Sequence, residues 1–360
     1  MIYIYITSLA ATLFGYAVPI LNVVAPFFFY KRFIQRPGIL GHNPFFYSAL
    51  IFATWLLVIT LYWHNFLGFL AGAYAIIPTV LLFFYATETL NKEKAYQYLN
   101  LLVSLSLLPA ALAIYQEFLA NTSILERSYA TFGNANFYAS YLLMVIPVAF
   151  ALAMQTTSKN QRLFYAFTTL INLYCLALTN SRSSIVALFL GFLFFALAAK
   201  NYRLLVFTAL TASLLALSVF INPNLIPRYG IISGELQERF AIWSLGWYAV
   251  GQHPIVGTGL TSFYTKYIMN YPGKYAPHAH NLYLNIWVEG GIIALMLLFW
   301  NLKVLYTIAF KKIARNKNLL VVGILSGLTA ALIQSFMDNP LENFQTGTLF
   351  MYFVAVLLKL

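Results

Sequence analysis

The sequence predicts an all-α integral membrane protein, a polytopic bundle of eleven or twelve transmembrane helices. Of its 360 residues, 61% are hydrophobic and only 8% are charged, whereas a soluble domain carries about 25% charged residues. Apolar runs of about 18 or more residues, each able to cross a hydrocarbon layer of about 30 Å, recur from end to end. The net charge of +12 does not indicate nucleic-acid binding, because its placement follows the expected membrane topology.

Polar breaks between the apolar runs divide the chain into its predicted elements. The spans are placed at residues 4–29, 44–62, 66–86, 96–117, 135–155, 162–179, 184–199, 203–221, 281–302, 319–337 and 344–358. The first run is long enough for one tilted helix or for a helix with a re-entrant piece, which leaves twelve spans open. We treat residues 1–360 as a single membrane domain.

Basic residues orient these spans, because Lys and Arg are retained in cytoplasmic loops. Fifteen of the 21 basic residues lie in one set of loops and flanks. The remaining six are Arg127, Arg182, Arg228, Arg239, Lys266 and Lys274. This bias places the second set of loops, and the long connection 222–280 in particular, outside the cytoplasm.

The connection 222–280 is too long for a plain turn, and loops of such length are usually functional or disordered. Its sequence favours order, because a helix-like run contains Phe240, Trp243, Leu245, Trp247 and Tyr248. An amphipathic helix lying at the membrane interface suits these aromatics. We expect the connection to form an external cap on the bundle.

Ionisable groups at the external ends of apolar spans are the candidates for chemistry, because such groups are rarely tolerated near hydrocarbon without a use or a partner. Arg182 lies in a short polar hinge, Arg239 at the start of the amphipathic run, and His280 where the long connection meets the next span. Each has a plainer interpretation. Arg182 could anchor a lipid headgroup, Arg239 could pair with Glu235 at i,i+4, and His280 could be a satisfied helix-start residue.

Together, the two arginines and the histidine suit a pyrophosphate leaving group. Guanidinium groups bind phosphate oxygens bidentately and stabilise the charge that develops as a sugar–phosphate bond breaks. Histidine can take a proton from an incoming hydroxyl near neutral pH. The external carboxylates are scattered, so we expect a reaction without a metal or other cofactor. A metal site formed by His278, His280 and His253 is a minor alternative, since nothing fixes the geometry of these histidines and no carboxylate is expected beside them.

Polar residues every four positions form a stripe along the ninth predicted span, at Asn281, Asn285 and Glu289. Interhelical hydrogen bonding is the usual role of such residues, and a role in orienting His280 is the alternative. Gly290 and Gly291 would let another helix pack closely.

Four ordered stretches resemble the O-antigen ligase and O-antigen polymerase superfamily. They are Arg127 with Thr131–Asn136, Asn180–Ser183, Arg239–Trp243 with Pro254–Gly259, and His280–Leu284 followed by Glu289–Ile293. A leucine often follows the first family arginine by four residues, and Val186 stands there in this chain. That departure is conservative.

The resemblance implies transfer of a glycan from an undecaprenyl-pyrophosphate donor to an acceptor hydroxyl, with His280 as the base and Arg182 and Arg239 holding the pyrophosphate. Supporting roles would fall to Arg127, His278, Asn281 and Glu289. The implied location is the bacterial cytoplasmic (inner) membrane, among membrane lipids, with the site facing the periplasm.

The acceptor is left open by the resemblance. The ligase branch, with lipid A–core as acceptor, is favoured by the paired histidines before Asn281 and by the single large late loop. A polymerase acting on another glycan, or a protein O-oligosaccharyltransferase, is the runner-up. A small-anion transporter is the alternative of another class, but a carrier should show broken helices and midplane charges, and apart from Glu289 the charges of this chain cluster at span ends.

Overall fold

A computed structural model describes residue 34 and the ranges 44–120, 127–223, 232–269 and 276–360. Every regular element in these ranges is helical. Six helical segments of the described chain are long and apolar enough, by length and composition, to cross a membrane, and one of them, Lys92–Leu119, consists of two consecutive helices. The predicted class, a polytopic helical membrane protein, is confirmed. The span predicted at 4–29 lies outside the described residues.

Twelve described α-helices follow one another along the chain. They are α1 (Pro44–Tyr62), α2 (Phe66–Thr89), α3 (Lys92–Leu105), α4 (Leu107–Ala120), α5 (Ala135–Gln155), α6 (Lys159–Leu178), α7 (Arg182–Ala198), α8 (Tyr202–Ile221), α9 (Ile232–Gln252), α10 (Leu282–Asn316), α11 (Leu319–Gln334) and α12 (Phe344–Lys359). Each predicted span after the first overlaps a helix. The span predicted at 96–117 is divided at Ser106 between α3 and α4, and the span predicted at 281–302 covers only the first part of α10, which continues to Asn316. A π-helical turn, Phe263–Ile268, and a 3-10 turn, Pro340–Glu342, complete the described elements.

Helix α5 forms the centre of the bundle, because it is buried along nearly its whole length and packs against α6, α7 and α11. Two glycines bring α11 against it. A Cβ atom at Gly327 would lie 2.7 Å from the Met144 carbonyl oxygen, and one at Gly323 would lie 2.7 Å from that of Pro147. Small residues at this four-residue spacing allow close helix packing in membranes. The beginning of α5 and the end of α11 are thereby held side by side.

Helix α10 is broken at Gly291, whose φ of 71° and ψ of −175° are not helical. The connection before α10 hydrogen-bonds with the interrupted backbone. The Thr258 N–H donates to the Val288 carbonyl at 3.0 Å, and the Gly259 N–H donates to the Glu289 carbonyl at 2.7 Å. Backbone groups freed in an apolar setting are thus satisfied by a second segment.

This break differs from the expectation that the glycine pair admits another helix. Gly290 does lie against Leu56 of α1. At Gly291, however, a Cβ atom would overlap the Ile255 carbonyl, so the residue admits the connecting segment and not a helix. The charge pattern had given no indication of a broken helix.

Helix α9 contains the aromatic run that the sequence predicted as helical. Its buried face, which includes Ile242 and Gly246, packs on α10, where Gly246 meets Leu284. Phe240 and Trp247 are largely exposed. Exposed aromatics beside a packed face suit a helix at a membrane interface.

Candidate active site

His280 is held where the connection meets α10. The next residue, Asn281, caps this helix, because its side-chain oxygen accepts from the Leu284 N–H at 3.0 Å. The Asn281 amide also donates to the Phe336 carbonyl at 3.1 Å, which ties the helix start to the chain following α11. His280 itself has a φ of 47°, a left-handed conformation that costs an L-residue roughly 1–2 kcal/mol. The surrounding contacts therefore fix an unfavourable backbone conformation at this histidine.

Asp338 is the partner of His280. Its Oδ1 lies 3.0 Å from the His280 Nδ1, and the Asp338 side chain is only 3% exposed while that of His280 is 30% exposed. The Nε2 atom of His280 forms no hydrogen bond within the described part of the chain. In a neutral imidazole that donates its Nδ1–H to a carboxylate, Nε2 carries no proton and can accept one. The expectation that no carboxylate neighbours these histidines is wrong, since the fold brings Asp338 to them.

The Asp338 carboxylate is ionised despite its burial. Burial alone would raise the pKa of this group, but the hydrogen bond from His280 and the electrostatic attraction of the two neighbouring histidines lower the pKa to about 2. The Asn136 amide donates to its Oδ2 at 2.6 Å, and the Asn339 N–H donates to its Oδ1 at 2.9 Å. A buried carboxylate needs such donors.

Arg127 supports the His280–Asp338 pair through Asn136. Its guanidinium donates to the Asn136 side-chain oxygen at 2.6 Å and to the Thr179 carbonyl at 2.8 Å. Because the Asn136 oxygen accepts from Arg127, its amide nitrogen is turned toward Asp338. Arg127 is thus linked to the Asp338 carboxylate through Asn136 and helps to position it without contacting it.

His278 is buried beside His280. Its Nδ1 accepts the His280 backbone N–H at 3.2 Å, and the two rings meet edge to face with centroids 4.6 Å apart. Burial, and then the proximity of His280, lower the pKa of His278 to about 4, against an opposing effect of Asp338. His278 is therefore neutral at physiological pH and helps to set the backbone at His280.

Arg182 begins α7 at the same end of the bundle, and its guanidinium forms an ion pair with Glu235 of α9. The alternative in which Glu235 pairs with Arg239 is therefore wrong for this structure. Arg239 lies one helical turn after Glu235 and is half-buried. It forms no hydrogen bond or ion pair with any described residue.

Gln334 links the arginine side of the site to the histidine side. Its amide donates to the Ser184 hydroxyl at 2.8 Å and to the Asn136 carbonyl at 3.1 Å. Ser184 is in the first turn of α7, next to Arg182, and Asn136 contacts Asp338. The structure therefore brings the two halves to one end of the bundle, although no described hydrogen bond joins either arginine to His280.

The polar stripe on α10 does not orient His280 through Glu289. Asn285 accepts the Ala279 N–H at 3.1 Å and so steadies the backbone before His280. Glu289 is 6% exposed and lines a cavity instead. Of the three stripe residues, Asn281 and Asn285 support the histidine segment.

Three possible metal ligands lie close together at this site. One donor atom from each of His278, His280 and Asp338 falls within 4.8 Å of the others, and histidine and carboxylate are common ligands of divalent ions. The His280 Nδ1 and the His278 Nδ1 already take part in hydrogen bonds. The cluster as it stands is arranged as a hydrogen-bonded proton-transfer group.

Asp338 and Gln334 are the site residues that the sequence analysis missed, and Asn136 entered it only as the end of the motif Thr131–Asn136. Asp338 lies 58 positions from His280, so the sequence alone did not pair the two. It is, however, the only aspartate in the sequence, and it follows directly on an apolar span. That combination is a signal that could have found it.

The geometry defines a polytopic helical membrane protein with a histidine–aspartate pair and two arginines at one end of its bundle. Residues 167–299 match the family model described as O-antigen ligase. The predicted resemblance to the O-antigen ligase superfamily is thus confirmed for this segment. The match contains Arg182, Arg239 and His280, whereas Asp338 lies beyond it. A search of curated proteins finds no match to this chain.

Proposed function

We propose that this protein transfers a glycan from undecaprenyl pyrophosphate to the hydroxyl group of an acceptor at the periplasmic face of the bacterial inner membrane. The family match supports a membrane glycosyltransferase of the O-antigen ligase and polymerase type. The observation that carries the proposal is the His280–Asp338 pair, at the end of the bundle where Arg182 and Arg239 also lie. We propose lipid A–core as the acceptor.

In the proposed reaction, His280 Nε2 takes the proton of the acceptor hydroxyl while the hydroxyl oxygen bonds to the anomeric carbon. The bond from that carbon to the pyrophosphate oxygen breaks, and the anomeric centre inverts. The lipid pyrophosphate leaves with both electrons of the broken bond. Asp338 stabilises the imidazolium that forms, because its carboxylate accepts the Nδ1–H.

Arg182 and Arg239 would stabilise the charge that develops on the pyrophosphate. Arg182 lies at the N-terminus of α7, where the helix dipole favours an anion. The Glu235 carboxylate marks such an anion position beside the guanidinium. A guanidinium has five N–H donors, so Arg182 can bind phosphate oxygens beside Glu235 or in exchange for it. Two guanidinium groups suffice for a clamp without a metal ion.

A polymerase would use the same residues and differ only in the acceptor. The paired histidines before Asn281 and the single long connection before α10 favour the ligase. Deleting the gene and inspecting the lipopolysaccharide separates the two activities. Loss of all O-antigen from lipid A–core indicates a ligase, whereas a single added repeat indicates a polymerase.

A small-anion transporter is the second candidate, favoured by the broken helix at Gly291 with Glu289 beside it. Interrupted helices with an ionisable residue are typical of carriers. Against this function, the freed backbone groups at the break are already paired with the connecting segment. Uptake of bicarbonate into liposomes that contain the protein would support transport.

The central test uses purified protein, a lipid-linked glycan and candidate acceptors. We expect His280→Ala to lose roughly 10²–10⁴-fold in kcat, the usual contribution of a general base. His64→Ala is a matched control, since His64 is exposed and also has a left-handed backbone. Full transfer by the His280→Ala enzyme would refute the assignment of the base.

A further inference from the structure

A cavity of about 480 Å³ lies among α1, α2, α10 and α12. It begins beside the histidine–aspartate pair, because Leu282 and Asn339, close neighbours of His280 and Asp338 in sequence, both line it. Its volume falls in the range of small-molecule pockets, roughly 300–1,000 Å³. Along α1 the lining runs from Phe45 to Leu56, a rise of roughly 17 Å at 1.5 Å per residue. The cavity is thus elongated along the helices.

The lining is apolar over most of its length and polar near the site. The polar groups at that end are Asn285, Glu289, Asn339, Glu342 and Asn343. The described lining residues include no lysine, arginine or histidine. An occupant therefore meets hydrocarbon along its body and hydrogen-bond acceptors at one end.

Asn339 presents an acceptor without a donor. Its amide nitrogen donates to the Glu342 carboxylate at 2.5 Å, which turns its oxygen away from Glu342. The side chain is 1% exposed, and the oxygen has no hydrogen-bond partner in the described part of the chain. Leaving a buried acceptor unsatisfied costs about 1–3 kcal/mol. A donor group on a bound molecule would remove this cost.

Two carboxyl groups stand at the same end. Glu289 and Glu342 both line the cavity and lie close enough for their charges to interact. Burial, and then the charge of Asp338, raise the pKa of Glu342. A raised pKa favours the neutral carboxyl form of Glu342. No cationic side chain is among the described lining residues, so a phosphate group would be buried here without a counter-charge, which is unfavourable, whereas uncharged hydroxyl groups can hydrogen-bond to the carboxyl and amide groups.

We propose that this cavity binds the acceptor as a membrane-embedded glycolipid, with an apolar chain along α1 and α2 and uncharged sugar hydroxyls at Glu289, Asn339 and Glu342. The inference rests on the function proposed above and gives the acceptor a site. The polyprenyl pyrophosphate donor fits poorly, because its phosphates would find no lysine, arginine or histidine among the described lining residues. The acceptor hydroxyl would enter the site from the side of Asp338 and Asn339.

Photolabelling tests the site without relying on turnover. The probe is an alkyl β-glucoside with a diazirine in its chain, and the comparison is an alkyl phosphate with the same chain. Both are applied to the full-length protein, as wild type and as His280→Ala. We expect the glucoside to label peptides of α1, α2 and α12 at least fivefold more than the phosphate does, equally in both proteins.

Substitutions at lining residues test whether the labelled site is this cavity. Ala75 of α2 lines the cavity, so Ala75→Trp fills it, whereas Ala209 is exposed on α8 and Ala209→Trp is the matched control. We expect Ala75→Trp to reduce glucoside labelling at least fivefold and to raise the KM for the acceptor with the donor KM unchanged. Ala209→Trp should change neither. Asn339→Leu, which removes the unsatisfied acceptor, should also weaken labelling.

Three results would overturn the inference. The alkyl phosphate could label as strongly as the glucoside, or labelling could persist in Ala75→Trp. The third result is that the glucoside labels nothing while the thiol of Ala75→Cys cross-links to residues 1–33. That result would mean that the chain itself fills the cavity. Labelling as expected, with no glycan transfer by the wild type, would refute the proposed function while supporting a glycolipid site.

Discussion

The site has a histidine half, formed by His278, His280 and Asp338, and an arginine half, formed by Arg182 and Arg239. The two halves are held in different ways. Asp338 is nearly buried and accepts hydrogen bonds from His280, Asn136 and Asn339, so the proton-transfer group is already assembled. Arg182 is 30% exposed and is paired with a carboxylate that is 28% exposed. Arg239 has no partner among the described residues. The comparison fits the proposed function, in which a preorganised base would stand beside a phosphate clamp that the donor completes.

The largest expected effect comes from breaking the histidine half with Asp338→Asn. An asparagine sets an N–H donor either against His280, which reverses the tautomer, or against the Asn136 amide, which breaks the hydrogen bond that holds the pair. In both cases the negative charge that stabilises the imidazolium is lost. We expect kcat to fall roughly 10³-fold, within the range of general acid–base catalysis, with a changed pH profile of kcat. Glu238→Gln, at an exposed carboxylate of α9, is the control. A variant with the wild-type rate and pH profile would show that Asp338 does not act through His280.

Arg239→Lys sharpens the comparison from the arginine half. Lysine keeps the charge but loses the bidentate geometry of guanidinium, and a hydrogen bond to a charged group is worth about 1.5–3 kcal/mol. We therefore expect kcat/KM for the donor to fall roughly 10–100-fold, with acceptor binding unchanged. Arg203→Lys, at the exposed start of α8, should have no effect. A wild-type kcat/KM in Arg239→Lys would mean that Arg239 contributes only its charge, and an equal loss in both variants would mean that the effect is not specific to Arg239.

The helices and the arginine half could be predicted from the sequence because both depend on local signals. Apolar runs set the spans, and a charge at a span end marks Arg182 or His280. The histidine half depends on tertiary register. Asp338 reaches His280 because the start of α10 is tied to the chain after α11 by the Asn281–Phe336 hydrogen bond. It reaches Asn136 because α11 is seated on α5 at Gly323 and Gly327. Likewise, the Gly290–Gly291 pair does not reveal whether a helix or a connecting segment lies against it.

That register can be tested at Gly327, where an added side chain meets the Met144 backbone. Overpacking of a close contact costs about 1–3 kcal/mol, so Gly327→Leu should lower the melting temperature and reduce glycan transfer. Gly251 of α9 faces open space, and Gly251→Leu should leave the melting temperature unchanged. Equal melting temperatures for Gly327→Leu and the wild type would indicate that α11 is not held by this contact.

The smallest expected effect concerns protonation of the histidine half at His278. Its pKa is about 4 in the folded protein, whereas an unfolded histidine has a pKa of about 6.5. Between these values the unfolded chain binds more protons, so stability rises with pH and is lost as the pH falls below about 6.5. A difference of one pH unit corresponds to about 1.4 kcal/mol. The free energy of unfolding should therefore be about 1.4 kcal/mol lower at pH 5.5 than well above pH 6.5.

The variant His278→Asn tests this expectation, because asparagine keeps an acceptor for the His280 N–H but does not titrate. The fall in melting temperature from pH 7 to 5.5 should therefore be smaller in this variant than in the wild type, and an equal fall would mean that the buried histidine does not resist protonation.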